Sequence, residues 1–352
     1  MEKTIITTDA PRIGIIAEFN PFHLGHAEHI RRSREIVGSG AVIICAMSGN
    51  FVQRGDVAVY SKRARALAAA QSGADLVVEL PVATALGSAG YFAEGAVRLL
   101  NLIGVDYLAF GSESGSLTEL SECAEMSRRA EVNVLIREEI KRGIGYASAR
   151  QSALERFSGR DMSLLRLPNN ILAVEYLNAL ENTSITPLTI KRERGSDSAS
   201  EIRELLRRGA DVSGRLPISA AKIYAAETRR GNAPMFLTAL DASIMTRLRC
   251  MSTDEFDALP DADEGLGRAV FNALRFARTT DELFAAAKSK RYTMTRVRRV
   301  VLCAFLGIRA DDRKKEPAFA AVLAASKRGN DLVKMSKLPL IRGSRDNLVG
   351  SC

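Results

Sequence analysis

The sequence predicts an α/β protein, a doubly wound parallel sheet followed by an all-helical C-terminal domain. Three observations carry this. Short apolar runs alternate with helical runs through roughly the first 110 residues. Those runs are continuously apolar and β-branched, as strands covered on both faces must be. After about Asp211 helical periodicity continues with no convincing strand.

Each element follows in order. "RIGIIAEF" reads as a buried strand and "AEHIRRSREIVGSG" as a helix ending at glycine. "AVIICAMS" is a second strand, "SKRARALAAAQSGAD" a helix, and "LVVELP" a third strand stopped by Pro81. "SAGYFAEGAVRLLNLIG" is a helix and "DYLAFGSE" a fourth strand. Residues 116–182 read as a helical insertion, with "VLIREEIKRGIGYASARQSALERF" as one helical run. "TPLTIKRE" is a fifth strand, and "GSDSASEIRELLRRG" turns into another helix. The expected division is a catalytic unit over residues 1–215 and a basic helical domain over 216–352.

The chain has 352 residues, 46% of them hydrophobic, enough for one large core or two ordinary ones. No apolar run approaches the roughly 20 residues of a membrane span. "MEKTIITTDAPR" has no secretory pattern, so a cytoplasmic protein is expected. The five cysteines are scattered, without a CxxC pair, which fits reduced thiols and argues against a zinc site. Between Ala286 and Arg345 stand 16 Lys/Arg against 4 Asp/Glu, so the chain's net charge of +9 comes from this stretch. A block like that suits a polyanion, although a solvated helical face would read the same way.

All three histidines, His23, His26 and His29, fall in "NPFHLGHAEH", between the first strand and the first helix. Ligands of open α/β sheets bind beyond the carboxyl ends of the strands, and a helix N-terminus favours phosphate. Pro21 stiffens the turn, and Gly25 lets a ligand approach the backbone. His23 and His26, three apart, face one way on the first helical turn. Their N–H groups can bond an α-phosphate as pyrophosphate leaves. His29 is read as packing or helix surface. No carboxylate or cysteine completes a metal set beside them, so no protein-held metal is expected.

"NPFHLGH" matches the HxGH signature of a nucleotidyltransferase superfamily. Together with "MSGNFVQRGDVAVYSKRARA", "GADLVVELPV", "SAGYFAEGAVRLLN", "GVDYLAFGSE", "LPNNILAVEYL" and "KRYTMTRVRR" it resembles the bacterial tRNA(Met) cytidine acetate ligases, over residues 12–340. The resemblance implies a Rossmann-like nucleotidyltransferase fold. It also implies a reaction in two steps, with ATP and acetate giving acetyl-adenylate, and a tRNA cytidine N4 then taking the acetyl group. The implied partner is elongator tRNA(Met), through its anticodon, with Mg²⁺ accompanying ATP and no membrane or DNA partner. It implies ATP contacts at Ile16, Ala17, Glu18, Phe19, Asn20, Pro21, Phe22, His23, Gly25 and His26, and at Gly111, Asn169 and Arg192, with His23 and His26 catalytic. Asn170 is Asn169's neighbour.

A second phosphate element should follow the last strand. "SASEIR", with Ser198, Ser200 and Arg203, opens a helix directly after "LTIKRE" and is preferred. "KMSK", Lys334–Lys337, is read as an accident of a lysine-rich helix, because no strand precedes it. Asn50, Gln53, Arg54 and Lys62 are candidates for substrate or phosphate contact, and Arg291, Tyr292 and Arg296 for tRNA. Two positions depart from the family pattern. Ser61 stands where an acidic residue is usual, and the 193–197 segment is short. A cofactor-making adenylyltransferase would use the same HxGH and SxxIR elements but needs no basic helical domain. A non-catalytic RNA-binding adaptor would not need the histidines.

Overall fold

The computed structural model describes residues 10–192 and 198–342. The short 193–197 segment lies outside the described residues. The strands are β1 (Arg12–Ala17), β2 (Val42–Ser48), β3 (Phe51–Val52), β4 (Asp56–Val57), β5 (Leu76–Leu80), β6 (Tyr107–Ser112), β7 (Thr186–Lys191), β8 (Ala320–Ala325) and β9 (Leu340–Arg342). Seven form one sheet in the order β7-β6-β1-β2-β5-β8-β9, and β3 pairs with β4 as a separate hairpin. The five strands read from sequence, β1, β2, β5, β6 and β7, all run parallel. From β1 the chain builds outward through β2 and β5, then returns to the other side of β1 for β6 and β7. The strand order therefore reverses between β1 and β6, and a crevice opens there beyond the carboxyl ends.

The continuously apolar strands are buried from both sides. In β2, Val42, Ile44 and Ala46 join one core with the helix Ala89–Ile103 and the 117–180 helices. Ile43, Cys45 and Met47 join the opposite core with α1 (Leu24–Val37) and α2 (Lys62–Gln71). The period of two sends alternate side chains into two different layers.

Two departures from the sequence reading stand out. First, the part after Asp211 is not free of strand. β8 pairs antiparallel with β5, and β9 parallel with β8, extending the sheet by two. "AAVLAA" is mostly alanine, the best helix former, which hides a strand. Its alternating burial against the sheet edge overrides that propensity. Second, the run at 134–157 is broken into helices Ala130–Lys141 and Tyr146–Ser158, with Gly143 at φ +84 in the turn. Helices do dominate the C-terminal part. Those between 241 and 306 share a second core, including Phe256, Leu283, Phe284 and Val300, which Val57, Ala83 and Leu86 of the sheet part join. The helix Ile218–Arg229 instead packs on the sheet unit, with Tyr224 stacked on Tyr60 at 3.9 Å between ring centroids.

Arg65 on α2 is fully buried beneath the carboxyl rim of the sheet. Its guanidinium donates to the carbonyls of Glu18, Ser48, Gly49 and Tyr60. It thus ties the ends of β1 and β2 together through backbone groups that would otherwise be orphaned. Burial lowers its pKa to about 10, which leaves it charged at neutral pH.

Candidate active site

A cleft of about 860 Å³ opens at the reversal point. Its floor comes from β1 and the turn after it, one wall from β6 and the helix Pro168–Leu180, and the other from the end of β7 and the helix Ala199–Arg207.

The HxGH turn is built around a reciprocal cap. His23 is the N-cap of α1, and its Nδ1 accepts from the Gly25 N–H at 3.1 Å. Three residues on, the Nδ1 of His26 accepts from the His23 N–H at 3.2 Å. This is a capping box in which two imidazoles replace the usual hydroxyl and carboxylate. The consequence is chemical. An Nδ1 that accepts a backbone N–H carries no proton, so each ring holds its proton on Nε2. Both histidines therefore keep an N–H donor that the cap does not use. The rings lie 3.9 Å apart between centroids, and Phe19 and Phe22 pack against His26 at 5.0 and 5.6 Å. Burial, then His23, His29 and Arg192, hold the His26 pKa well below its ordinary value, so it is neutral at pH 7. Gly25 is required by the cap itself, since a Cβ there would lie 2.9 Å from Cε1 of His23. Phe19, at φ +47, supplies the left-handed kink that turns the chain from β1 into the loop.

The cleft collects most of the residues expected there. Ile16, Ala17, Glu18, Phe19, Asn20, His23, Gly25, His26, Gly111, Asn169 and Arg192 all line it. So do Ser198, Ser200 and Arg203 of the second phosphate element. Pro21 and Phe22 do not. Phe22 is buried behind the histidines, with its N–H donating to the Tyr224 hydroxyl at 3.0 Å. Asn169 is presented by a cap of its own. Glu113 accepts the Asn170 N–H at 2.9 Å and the Asn169 side-chain amide at 2.6 Å, and Arg192 reaches the Asn169 Oδ1 at 3.2 Å. Asn170 is fully buried and braces the loop after β6, accepting from the Glu113 N–H at 2.9 Å.

The "SASEIR" element opens its helix with a capping box between Ser198 and Glu201. Arg203 donates to the Asn20 carbonyl at 2.7 Å, which fastens this helix to the HxGH loop. "KMSK" lies elsewhere, although the reason differs from the one expected. A strand, β8, does precede it. Because β8 runs antiparallel, it ends beside Asp75 at the start of β5, and Ser326 binds Asp75 there. The helix Lys327–Met335 therefore begins at the edge of the sheet opposite the histidines.

The remaining candidates separate. Gln53 and Arg54 line the cleft. Arg54 is exposed and has no hydrogen bond or ion pair among the described residues. Asn50 and Lys62 are spent locally, with Asn50 Oδ1 accepting the Lys62 N–H at 3.0 Å and Lys62 Nζ on Glu79 at 2.6 Å. Ser61 caps α2, accepting from Ala64 at 3.2 Å, as an acidic residue in that place also could. Tyr292 is buried in the helical core, and its hydroxyl donates to the Glu264 carbonyl. Arg296 is committed to the 261–264 loop, bonding the Asp261 carbonyl at 3.0 Å and Glu264 at 2.9 Å. Only Arg291 of the three tRNA candidates is exposed. His29 is half-buried in the cleft wall and bonded to the Ala109 backbone.

The sequence reading missed Tyr176 and Phe92 in the wall, and Thr295 arriving from the helix Met294–Leu306. It also missed a second cleft of about 200 Å³ that shares Glu18, Asn20, Arg54, Arg203 and Thr295 with the first and adds Asp56 and Arg298. A signal for Thr295 and Arg298 was present. Thr295 and Arg298 are three apart and share a helix face, while Arg296 and Arg299 turn to another.

Fold and rim together define a nucleotidyltransferase of the HxGH kind. The family model described as HIGH Nucleotidyl Transferase matches residues 11–345. A tRNA(Met) cytidine acetate ligase of Acetivibrio thermocellus is 35% identical, covering 97% of this chain and 89% of that one. One from Syntrophomonas wolfei is 35% identical, covering 93% and 84%. The crystal structure of Thermotoga maritima TmcAL bound with alpha-thio ATP aligns with a TM-score of 0.88 at 32% identity, covering 94% of this chain and 85% of that one. The chain belongs to the tRNA(Met) cytidine acetate ligase family of HIGH nucleotidyl transferases. Among the described residues no helix is long and apolar enough to cross a membrane.

Proposed function

We infer that this chain is an ATP-dependent, AMP-forming ligase that acetylates the N4 amine of a tRNA(Met) cytidine through acetyl-adenylate. The observation that carries the reading is the imidazole capping box, whose two Nε2–H donors stand in the same cleft as Arg203 and the Ser198–Arg203 helix.

The chemistry calls for activation. Cytosine N4 is a weak nucleophile because its lone pair is delocalised into the ring, and free acetate has no usable leaving group. In this reading acetate attacks the α-phosphorus of ATP in line and pyrophosphate departs. N4 then attacks the acyl carbon and AMP departs. No enzyme nucleophile is needed, so the work is positioning and charge stabilisation. His23 and His26 donate to the phosphate at which charge develops, Arg203 and Arg192 hold the polyphosphate, and Gly111 and Asn169 flank the adenosine. Mg²⁺ accompanying ATP would neutralise charge on the departing pyrophosphate. Among the described residues no three His, Cys, Asp or Glu side chains are grouped as a metal site, so phosphate oxygens and water would be its main ligands. The basic C-terminal part, above all the helices between 241 and 306 that share the second core, is assigned to the tRNA backbone, and the wobble cytidine of the elongator anticodon to the acetyl group.

The test is exchange of labelled pyrophosphate into ATP, without tRNA. Exchange is expected only when acetate is present, and His26→Ala should slow it about 10²- to 10³-fold. Exchange that ignores acetate, or none with or without tRNA, would overturn the reading.

A further inference from the structure

The mechanism above leaves Glu18 unused. Glu18 directly follows β1, one residue before the kink at Phe19, and lines both clefts. Its Oε1 is fixed by the Gln53 N–H at 2.8 Å, whereas Oε2 has no partner among the described residues. The other carboxylates nearby are occupied. Glu28 is paired with Arg31, and Asp56 bonds the Val57 N–H and lies 3.6 Å from Arg298. Glu18 is thus the one uncommitted carboxylate at the join of the two clefts.

The small cleft has the size and polarity for a planar base. Its volume is about 200 Å³, ample for one heterocycle and more than a two-carbon acid fills. Around it stand the acceptor Glu18 and the guanidinium donors Arg54, Arg203 and Arg298, with Thr295 beside them. The Nε of Arg298 is buried without a hydrogen-bond partner. Cytosine presents an amine donor followed by two acceptors along its pairing edge. A carboxylate beside guanidinium groups complements that order. A base turned out of its stack is read on this edge. The cleft also lies between the nucleotide site and the helix Met294–Leu306, the side from which tRNA would arrive in the proposed function.

Resting on that function, we propose that the small cleft holds the acceptor cytosine and that Glu18 is a catalytic base for acetyl transfer. Oε2 accepts a hydrogen bond from the N4 amine. As the bond from N4 to the acyl carbon forms, the acyl carbon–oxygen bond of the adenylate breaks, its electron pair leaves on AMP, and the N4 proton passes to Oε2. Burial raises the Glu18 pKa, opposed by Arg54, the Gln53 N–H, Arg203 and Arg65, so it is a better proton acceptor than a free carboxylate. Tyr176 and Asp56 are the other titratable groups nearby, and Arg298 the remaining cation.

The two half-reactions separate the possibilities. Glu18→Gln keeps the shape and a carbonyl oxygen for the Gln53 N–H. Circular dichroism should show that this variant folds, and because Glu18 also lines the nucleotide cleft, acetate-dependent pyrophosphate exchange is measured beside transfer and should lose clearly less. Single-turnover transfer from preformed acetyl-adenylate to tRNA should fall at least about 10²-fold, and its rate should lack the acid limb that a general base predicts for the wild type. Glu18→Asp should recover part of the transfer rate. Equal losses in both half-reactions would assign Glu18 to the nucleotide step, and no loss in either would leave it without a role. Each of these overturns the proposal. Absence of exchange in the wild-type protein would instead overturn the function on which it rests.

Discussion

"NPFHLGH" and "KRYTMTRVRR" look alike as sequence, since each crowds chemistry-bearing side chains into a short stretch around a helix N-terminus. The structure treats them differently. In the first, both imidazoles accept backbone N–H groups at Nδ1, which leaves the His26 Nε2–H to the cleft. In the second, Tyr292, Arg296 and Arg299 are drawn inward onto the 261–264 loop. What separates a site from a scaffold here is the hydrogen-bonding capacity left over once the fold has taken its share. Residue type does not separate them.

The largest effect expected from testing this contrast is at Asp261. Its carboxylate holds Arg313 at 2.9 and 3.2 Å and lies 3.7 Å from Arg299, all three side chains being nearly buried. Arg313 also reaches the Leu86 carbonyl at 2.9 Å, which joins the helical part to the loops of the sheet. Asp261→Asn keeps the shape but leaves two buried guanidinium groups without their charge partner. Thermal or urea unfolding should show a loss of about 3–5 kcal/mol. Pyrophosphate exchange per folded molecule should be unchanged. A stable variant, or a folded one defective in exchange, would mean that this cluster is not the scaffold described here.

The two regions were unequally legible in the sequence. The five parallel strands and the HxGH turn could be read because β-branched runs, glycines and histidines are specific signals for buried strands, turns and phosphate chemistry. β8 could not, because a run such as "AAVLAA" has no strand signal until a sheet edge stands beside it. Likewise the orientation of Arg296 against Arg298 depends on where the 261–264 loop lies, which only the tertiary fold supplies. Glu18 was legible as a cleft residue, but its free Oε2 depended on the position of Gln53 across the loop.

A smaller effect is expected from His29, which shares α1 with the two catalytic candidates but not their role. Burial, against the bond to Ala109, lowers its pKa to about 4. A histidine whose folded pKa lies below its unfolded value takes up its proton first in the unfolded chain. Its contribution to stability is therefore intact above about pH 6.5 and is lost progressively as the pH falls toward about 4. His29→Gln removes that titration while keeping a donor for Ala109. Melting temperatures followed over this range should fall less steeply for the variant than for the wild type, and exchange at neutral pH should persist. Parallel curves would show that His29 titrates as freely as in an unfolded chain.

The smallest effect concerns Arg291, the member of the basic stretch whose side chain stays outside. A lysine or arginine that neutralises one phosphate releases condensed counterions, so it is recognised by salt dependence more than by affinity at one condition. If Arg291 contacts the tRNA backbone, Arg291→Ala should reduce the slope of log affinity against log salt by about 1, with unfolding unchanged. Tyr292→Phe makes the opposite prediction from the adjacent position. Losing the bond to the Glu264 carbonyl should cost about 1 kcal/mol of stability, and the salt slope should stay where it was. Together the neighbours test the contrast at its finest grain, because one residue faces the polyanion and the next faces the core. A slope altered equally by both changes would mean that the 291–296 turn docks as a unit, and that its inward residues shape the RNA surface as well as the fold.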